Sequence, residues 1–173
     1  RGISYQMMPI TLQEHGLVKA LEELLQRNLT ARSISFDFDH FEKQLRKGVK
    51  LFILCNPHNP VGRVFTRPEL TRMAELCLEY QVLILSDEIH ADLVQRDHVH
   101  VPIASLSDDI SDFTLTLGSH SKTFNLAGTA TAYVIAQNRS LKKRYFDVLH
   151  GIHLHLGNTL GDIALEAAYT QGS

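Results

Sequence analysis

The sequence predicts an α/β fold in which a mostly parallel sheet is flanked by helices. Two observations support this class: apolar residues alternate between helical spacing and short continuous runs, and a helix-length segment separates the first two runs. Polar loops follow the runs directly. With 173 residues, 44% hydrophobic and 21% charged, the chain is long enough to bury a core.

Two amphipathic helices are predicted before the first strand. Residues 15–27 carry apolar side chains at helical spacing with Glu and Lys between them, namely Leu17, Leu21, Leu24 and Leu25. Residues 37–47 also have one apolar face, formed by Phe38, Phe41 and Leu45. Gly48 follows at a position where helices commonly end, so the second helix is expected to stop there.

A strand, a helix and a second strand come next. Leu51–Cys55 is a continuous apolar run, which predicts a strand buried on both faces. Pro68 stands near the start of a helix predicted to reach about Tyr80. Residues 82–85 form the next apolar run. Because such βαβ units almost always cross over right-handed within one sheet, we expect the two strands to be parallel.

The remaining chain continues the same alternation. Residues 113–117 and 131–136 are predicted strands, and residues 140–150 and 160–169 are predicted helices. The sequence contains no repeat, no low-complexity segment and no interdomain linker. We therefore expect residues 1–173 to belong to one domain.

The composition argues against several classes of partner. The 17 Lys and Arg residues are scattered among 19 Asp and Glu residues, so the formal net charge of −2 leaves no basic surplus for nucleic acid. No apolar stretch approaches the roughly 20 residues that span a bilayer, and the first residues lack a signal-peptide layout. No membrane partner and a cytoplasmic location are the expectation.

The cysteines and histidines give no sign of a disulfide or a metal site. Cys55 and Cys77 lie within a strand pattern and a helix pattern, where cysteine acts as a small hydrophobe. Two histidine sets could be imagined as ligands: His98 with His100, and the set His150, His153 and His155. No cysteine or carboxylate is spaced to complete a zinc set, so we predict no metal.

Three polar segments follow the predicted strands. They are residues 56–62 (Asn-Pro-His-Asn-Pro-Val-Gly), 86–90 (Ser-Asp-Glu-Ile-His) and 118–125 (Gly-Ser-His-Ser-Lys-Thr-Phe-Asn). Ligands of open parallel sheets collect beyond the carboxyl ends of the strands, so the segments are expected to converge on one pocket. Taken singly, each also fits an ordinary turn or helix cap. Lys122 lies among hydroxyl residues that can hold a phosphate beside it.

The three motifs, in this order, resemble the class I/II aminotransferase superfamily of pyridoxal-phosphate (PLP) enzymes. His90 and the run Ser-Lys-Thr-Phe-Asn-Leu-Ala-Gly are most similar to the cystathionine β-lyase (C–S lyase) branch. The resemblance extends from about Ser33 to the end. It implies that residues 1–173 are the central part of the large PLP-binding domain of a fold type I enzyme. The N-terminal segment and the C-terminal small domain of such enzymes are then expected to be absent.

The same resemblance implies two catalytic residues. Lys122 would bind PLP covalently, yield to the substrate amine and then move the proton of the substrate α-carbon. Asp87 would face the pyridine nitrogen, where a carboxylate keeps the ring protonated so that it can accept electrons. Ala130 stands where many aminotransferases place a phosphate-binding arginine, and this departure agrees with the lyase branch.

Four further residues are predicted to contact the cofactor. Asn59 matches the amide that hydrogen-bonds the phenolic oxygen of PLP. His90 stands where many relatives carry a tyrosine near that oxygen, with a packed histidine behind the site as the alternative. Ser119 matches a hydroxyl that contacts the phosphate, and Ser121 could bind there or serve the turn.

The resemblance favours a PLP-dependent carbon–sulfur β-lyase acting on a small amino acid such as cystathionine, with pyruvate, ammonia and a thiol as products. An aminotransferase is the first alternative, because Lys122, Asp87 and Asn59 serve both reactions. A catalytically incomplete fragment or non-catalytic module is the second alternative. A homodimer is expected, since active sites of this superfamily lie at a dimer interface.

Overall fold

The computed structural model describes residues 35–154 and 157–172, together with Lys19. Apart from Lys19, which is helical, the helix predicted over residues 15–27 lies outside the described residues. The chain divides into two compact units, Arg1–Asp37 and Phe38–Ser173. All the elements named below belong to the second unit.

A four-stranded sheet of order β1-β2-β3-β4 forms the centre of this unit. Neighbours β1 and β2 are parallel, as are β2 and β3, whereas β4 runs antiparallel to β3. The strands are β1 (Leu51–Cys55), β2 (Leu83–Asp87), β3 (Thr114–Gly118) and β4 (Tyr133–Ile135). The α/β class with a mostly parallel sheet is therefore confirmed.

Five α-helices are present in the described part of this unit: α1 (Phe38–Leu45), α2 (Arg67–Glu79), α3 (Asp108–Asp112), α4 (Arg139–Gly151) and α5 (Thr159–Gln171). Four of them match predicted helices to within two residues at each end, the usual uncertainty of helix boundaries. Helix α3 and three 3₁₀ turns, at Ala91–Leu93, Ile103–Ser105 and Ala127–Thr129, were not predicted because they are too short to show a period. None of the described helices is long and apolar enough to cross a membrane.

Helix α2 provides most of the core. Its first turn is capped by Glu69, whose Oε2 accepts hydrogen bonds from the Thr66 backbone N–H at 2.9 Å and the Thr66 hydroxyl at 2.8 Å. One side of the helix is fully buried, with zero exposure at Leu70, Met73, Ala74, Leu76 and Cys77. This side packs against β2, so α2 fixes the strand that ends at Asp87.

The prediction that β1 is buried on both faces was wrong. Leu54 is 3% exposed, but Ile53 is 63% exposed. Among the described strands, β1 is an edge strand of the sheet. Phe52 lies on the same face of β1 as Leu54, and its ring centroid is 4.7 Å from that of Phe41 in α1. The apolar run therefore reflects one packed face, because a continuous run does not reveal how many faces are covered.

The strand register shows that the whole sheet has one buried face and one partly exposed face. We call one side the buried face; it carries Leu54, Ile84, Ser86, Thr114 and Thr116, all less than 9% exposed. We call the other side the partly exposed face; it carries Leu51, Ile53, Cys55, Leu83, Leu85, Asp87, Leu115 and Leu117. Successive side chains of a strand point to opposite faces, which assigns Asp87 to the partly exposed face.

Candidate active site

The three polar segments lie at one edge of the sheet, as the sequence predicts. Asp87 pairs in register with Cys55 on one side and with Leu117 on the other. The Asn56 N–H donates to the Asp87 carbonyl oxygen at 3.0 Å, and the Glu88 N–H donates to that of Leu117 at 3.0 Å. The loops that carry Asn59 and Lys122 therefore leave the sheet on either side of Asp87.

Asp87 is the last residue of β2 and is half-buried. Its Oδ1 accepts a hydrogen bond from the Ile89 N–H at 3.3 Å. Within residues 35–154 and 157–172, no other hydrogen bond to this carboxylate is found. Most of the capacity of the carboxylate to accept hydrogen bonds is thus available for a ligand.

The loop that carries Asn59 is folded back on the end of β1. The Asn59 N–H approaches Cys55 Sγ at 3.5 Å, which holds the loop against the residue that pairs with Asp87. Asn56 is 1% exposed, and its Oδ1 accepts a hydrogen bond from the Phe65 N–H at 3.0 Å. The buried Asn56 side chain therefore anchors the loop, whereas the Asn59 side chain is exposed.

A second set of contacts closes this loop at its far end. The His58 N–H donates to the Arg63 carbonyl at 2.7 Å, and the Gly62 N–H donates to that of His58 at 2.7 Å. Gly62 has φ +73°, a left-handed conformation that glycine adopts without strain. Arg63 pairs with Glu69 in the first turn of α2. The loop is therefore coupled to the helix that builds the core.

Lys122 lies in the turn that follows β3 and is exposed. The turn is closed by backbone hydrogen bonds from Phe124 N–H to the His120 carbonyl and from Leu126 N–H to that of Ser121, both 3.0 Å. No hydrogen bond or ion pair of the Lys122 amine is found within the described part of the chain. The amine is thus accessible at the edge where Asp87 and Asn59 lie.

The Ser119 and Ser121 hydroxyls are joined to each other within this turn. Ser119 is 5% exposed, and its Oγ lies 2.9 Å from Ser121 Oγ. The Ser119 Oγ also donates to the Thr131 carbonyl at 2.7 Å and accepts from the Ser121 N–H at 3.1 Å. These contacts show both hydroxyls supporting the turn, and their contact with a phosphate stays a prediction.

His90 is the residue directly before the 3₁₀ turn that follows β2, and its Nε2 is buried without a hydrogen-bond partner among the described residues. His58 Nδ1, in the loop that carries Asn59, is in the same situation. A buried imidazole nitrogen without a partner is unfavourable. His100 Nδ1 and His120 Nδ1 are also buried without a partner among the described residues, and of the four atoms His58 Nδ1 and His90 Nε2 belong to the loops that carry the predicted site residues.

Asp92 was missed by the sequence reasoning. Its Oδ2 accepts a hydrogen bond from the Thr123 hydroxyl at 2.8 Å, which ties the loop after β2 to the turn that carries Lys122. The Tyr169 hydroxyl also lies 3.4 Å from this oxygen. Burial raises the pKa of Tyr169, with Tyr133 and Asp92 adding to the effect, so the phenol keeps its proton and donates. No local sequence pattern could have indicated contacts between such distant residues.

Glu88 and His100 were also given no part in the cofactor site by the sequence reasoning. Glu88 Oε2 lies 2.8 Å from His100 Nε2, and Glu88 Oε1 accepts from the Ser86 hydroxyl at 2.8 Å. His100, considered above with His98 as a metal ligand, is thus engaged by a carboxylate. Among the described residues, no group of three His, Cys, Asp or Glu side chains could hold a metal ion.

The model of the family "Aminotransferase class I and II" matches residues 17–169. The chain belongs to this family. It is 44% identical to the cystathionine beta-lyase PatB of Bacillus subtilis over 139 residues, covering 80% of the chain and 36% of PatB. It is 37% identical to kynurenine–oxoglutarate transaminase 3 of Rattus norvegicus over 113 residues, covering 65% of the chain and 25% of that enzyme.

A solved relative shows the same fold. Cystalysin from Treponema denticola, whose structure contains a pyridoxal 5'-phosphate cofactor, superposes with a TM-score of 0.76 and 33% identity over 79% of this chain and 35% of cystalysin. The fold is therefore that of the fold type I PLP enzymes. The chain spans between a quarter and about a third of the length of these relatives.

Proposed function

We propose that this chain carries the cofactor site of a PLP-dependent carbon–sulfur β-lyase. The substrate would be an amino acid with sulfur bonded to its β-carbon, such as cystathionine, and the products would be pyruvate, ammonia and a thiol. The observation that carries the proposal is that Asp87 ends β2 and Lys122 lies in the turn that follows the adjacent parallel strand β3. The similarity to PatB supports elimination as the reaction.

The donor set at this edge fits PLP. An amine, a carboxylate and an amide are available at Lys122, Asp87 and Asn59, and they suit the aldehyde, the pyridine nitrogen and the phenolic oxygen of the cofactor in that order. The unpartnered Nε2 of His90 offers a fourth contact. When bound, PLP supplies an electron sink for the negative charge that develops at the substrate α-carbon.

Each of these side chains has a distinct task in the proposal. The Asp87 carboxylate accepts a hydrogen bond from the pyridine nitrogen and holds a proton there by its negative charge. The Lys122 amine would hold the aldehyde carbon of the cofactor and would take the proton from the substrate α-carbon. The Asn59 amide donates to the phenolic oxygen and orients the ring. Asp92, through Thr123, restrains the turn that carries Lys122.

An aminotransferase is the second candidate, supported by the 37% identity to kynurenine–oxoglutarate transaminase 3. Lys122, Asp87 and Asn59 have the same tasks in both reactions. The reactions differ in whether the bond between the β-carbon and sulfur breaks after the α-proton has been removed. The identity to PatB is higher and covers more of the chain, which favours the lyase.

The larger assembly is also part of the proposal. Residues 1–173 would form the central part of a large PLP-binding domain, and the working protein would be a homodimer. Apolar side chains exposed on the last two helices and directly after α4 support a subunit interface; they are Val148, Ile152, Leu160 and Ile163, each more than half exposed. The cytoplasmic location stays a prediction.

The decisive test is the visible spectrum of the full chain titrated with PLP, before and after reduction with borohydride. We expect a visible band that borohydride removes. Lys122→Ala should lose this band, whereas Lys142→Ala, at an exposed lysine of α4, should keep it. A wild-type chain that stays colourless would contradict the proposal and favour a non-catalytic module.

The reaction is then assigned with two assays on the same preparation. Pyruvate released from cystathionine indicates the lyase. Glutamate formed from kynurenine and 2-oxoglutarate indicates the aminotransferase. Transamination without release of pyruvate would replace the first candidate by the second.

A further inference from the structure

Glu88 directly follows Asp87, and its carboxylate is buried. The residue is 7% exposed, and both carboxylate oxygens have a partner 2.8 Å away: the Ser86 hydroxyl on Oε1 and His100 Nε2 on Oε2. Ser86 itself has zero exposure. A buried carboxylate requires such partners, because an unpaired charge inside a protein is strongly destabilising. The side chains of Ser86, Glu88 and His100 thus form a buried hydrogen-bond network, and the proposed chemistry assigns no role to it.

The contact between Glu88 and His100 closes a loop at its base. The Glu88 N–H still belongs to the sheet, since it donates to the Leu117 carbonyl at 3.0 Å. Residues 89–99 leave the sheet after this point, and the contact of His100 with Glu88 brings the chain back to the end of β2. Ile103, which is 1% exposed, anchors the segment that follows. The position of residues 89–99 therefore depends on the contact between Glu88 and His100.

Two residues of this loop belong to the candidate active site. His90 comes two residues after Glu88, and the Ala91 N–H donates to the Glu88 carbonyl at 2.9 Å. Asp92 is bonded to Thr123, the neighbour of Lys122. A displacement of the base of the loop would thus reach both His90 and the turn that carries Lys122.

Asp87 depends on the same contact through the backbone. Side-chain alternation sends Asp87 to the partly exposed face, whereas Ser86 and Glu88, whose side chains touch, share the other side. If His100 is removed, one oxygen of Glu88 loses its partner. A buried carboxylate oxygen without a partner is unfavourable, so Glu88, which directly follows Asp87 in the chain, would then have to shift or admit water.

We propose that His100 is a positioning residue of the cofactor site. Its hydrogen bond to Glu88 fixes the end of β2 and the loop of residues 89–99, so that Asp87 and His90 are held where the cofactor binds. This inference rests on the proposed function, because it assigns His100 a part in holding PLP.

The test compares His100→Ala with His98→Ala in the full chain. His98 is an exposed histidine two residues away and serves as the matched control. We expect His100→Ala to bind PLP roughly tenfold more weakly, because binding must then also order the loop that the contact between His100 and Glu88 held in place. At saturating PLP, its visible circular dichroism should also be weaker, because the ring is oriented less firmly. His98→Ala should match the wild type in both measurements.

A conservative variant and an experiment without PLP separate positioning from general stability. His100→Gln keeps a side-chain N–H donor and should recover most of the affinity and of the circular dichroism. Without PLP, amide hydrogen exchange of residues 89–99 should be faster in His100→Ala than in His98→Ala, with unchanged exchange in α2. If His100→Ala does not fold, His100→Asn, whose shorter side chain falls short of Glu88, takes its place with the same expected weakening.

The outcomes distinguish this inference from the proposed function. A wild-type chain that takes up no PLP overturns both. If the wild type binds PLP and folded His100→Ala or His100→Asn shows the same affinity and circular dichroism as His98→Ala, the inference is wrong and the proposed function stands. A drop in thermal stability with unchanged affinity and dichroism also overturns it, because His100 is then structural only.

Discussion

The two faces of the sheet are built by the same strands but differ in what they contribute. On the buried face, Ser86 has zero exposure and its neighbour Thr116 is 8% exposed, whereas Ile53 on the partly exposed face is 63% exposed. Asp87, the predicted partner of the pyridine nitrogen, stands on the partly exposed face. Neighbouring residues of one strand thus serve different purposes: one packs in the core and the next faces the candidate site. Substitutions on the buried face should lower the free energy of unfolding, and substitutions on the partly exposed face should lower PLP binding or turnover.

The two cysteines give the largest expected difference. Cys77 in α2 has zero exposure, and burial raises its pKa to about 12, whereas Cys55 lies half-buried on the partly exposed face. At pH 8 only about one Cys77 in ten thousand is then a thiolate, so Cys77 should react roughly a thousandfold or more slowly than an unperturbed thiol. Iodoacetamide labelling with peptide mass analysis measures this.

The unfolded chain is the control for this labelling experiment. In urea both cysteines should react at similar rates, because burial is lost. Raising the pH from 8 to 9 in the folded protein should speed the labelling of Cys77 about tenfold, since its thiolate fraction then rises by that factor. Equal rates for Cys55 and Cys77 at pH 8 in the folded chain would contradict the assignment of Cys77 to the buried core.

Asp87→Ala should leave the fold intact and remove the electrostatic contribution to catalysis. We expect the turnover of cystathionine to fall by about 10²–10³-fold, the range for losing one preorganised electrostatic group. The free energy of unfolding should change by less than about 0.5 kcal/mol, because Asp87 is half-buried and makes one long hydrogen bond. Steady-state kinetics and urea unfolding measure the two quantities. Asp112→Ala, at an exposed carboxylate, is the control.

Ile84→Ala on the buried face is compared with Ile53→Ala on the partly exposed face. Ile84 is 1% exposed, so removing its side chain should lower the free energy of unfolding by about 2–4 kcal/mol through lost burial and a cavity. Ile53→Ala makes the same chemical change at a 63% exposed position and should cost less than about 0.5 kcal/mol. Similar losses for both variants in urea unfolding would mean that the two faces are equally packed.

The sequence predicts the elements of this fold better than their surroundings. Periodicity locates the four longer described helices and all four strands, because each is a local pattern. It misjudges the exposure of Ile53, since burial depends on what packs against a strand and not on the strand itself. The three motifs place Lys122, Asp87 and Asn59 at one sheet edge because parallel strands end together.

Contacts between distant residues are the part of the site that the sequence does not reveal. His100 is 12 residues from Glu88, and Thr123 is 31 residues from Asp92. Neither distance corresponds to a helical or strand period, so no local pattern indicates the pairing. The motif around Asp87 includes Glu88 but gives no reason for a second carboxylate, and only the burial of Glu88 shows that it needs a partner.

The smallest expected effect compares two asparagines of one loop. Asn56 is 1% exposed and accepts the Phe65 N–H, so Asn56→Ala should lower the free energy of unfolding by about 1–2 kcal/mol by leaving that donor unsatisfied. Asn59 is exposed, so Asn59→Ala should change stability by less than about 0.5 kcal/mol and instead weaken PLP binding. Urea unfolding and PLP titration of both variants measure this contrast. If Asn59→Ala loses stability but not PLP affinity, the role of Asn59 is structural. The assignment of Asn56 to anchoring the loop and of Asn59 to contacting PLP is then wrong.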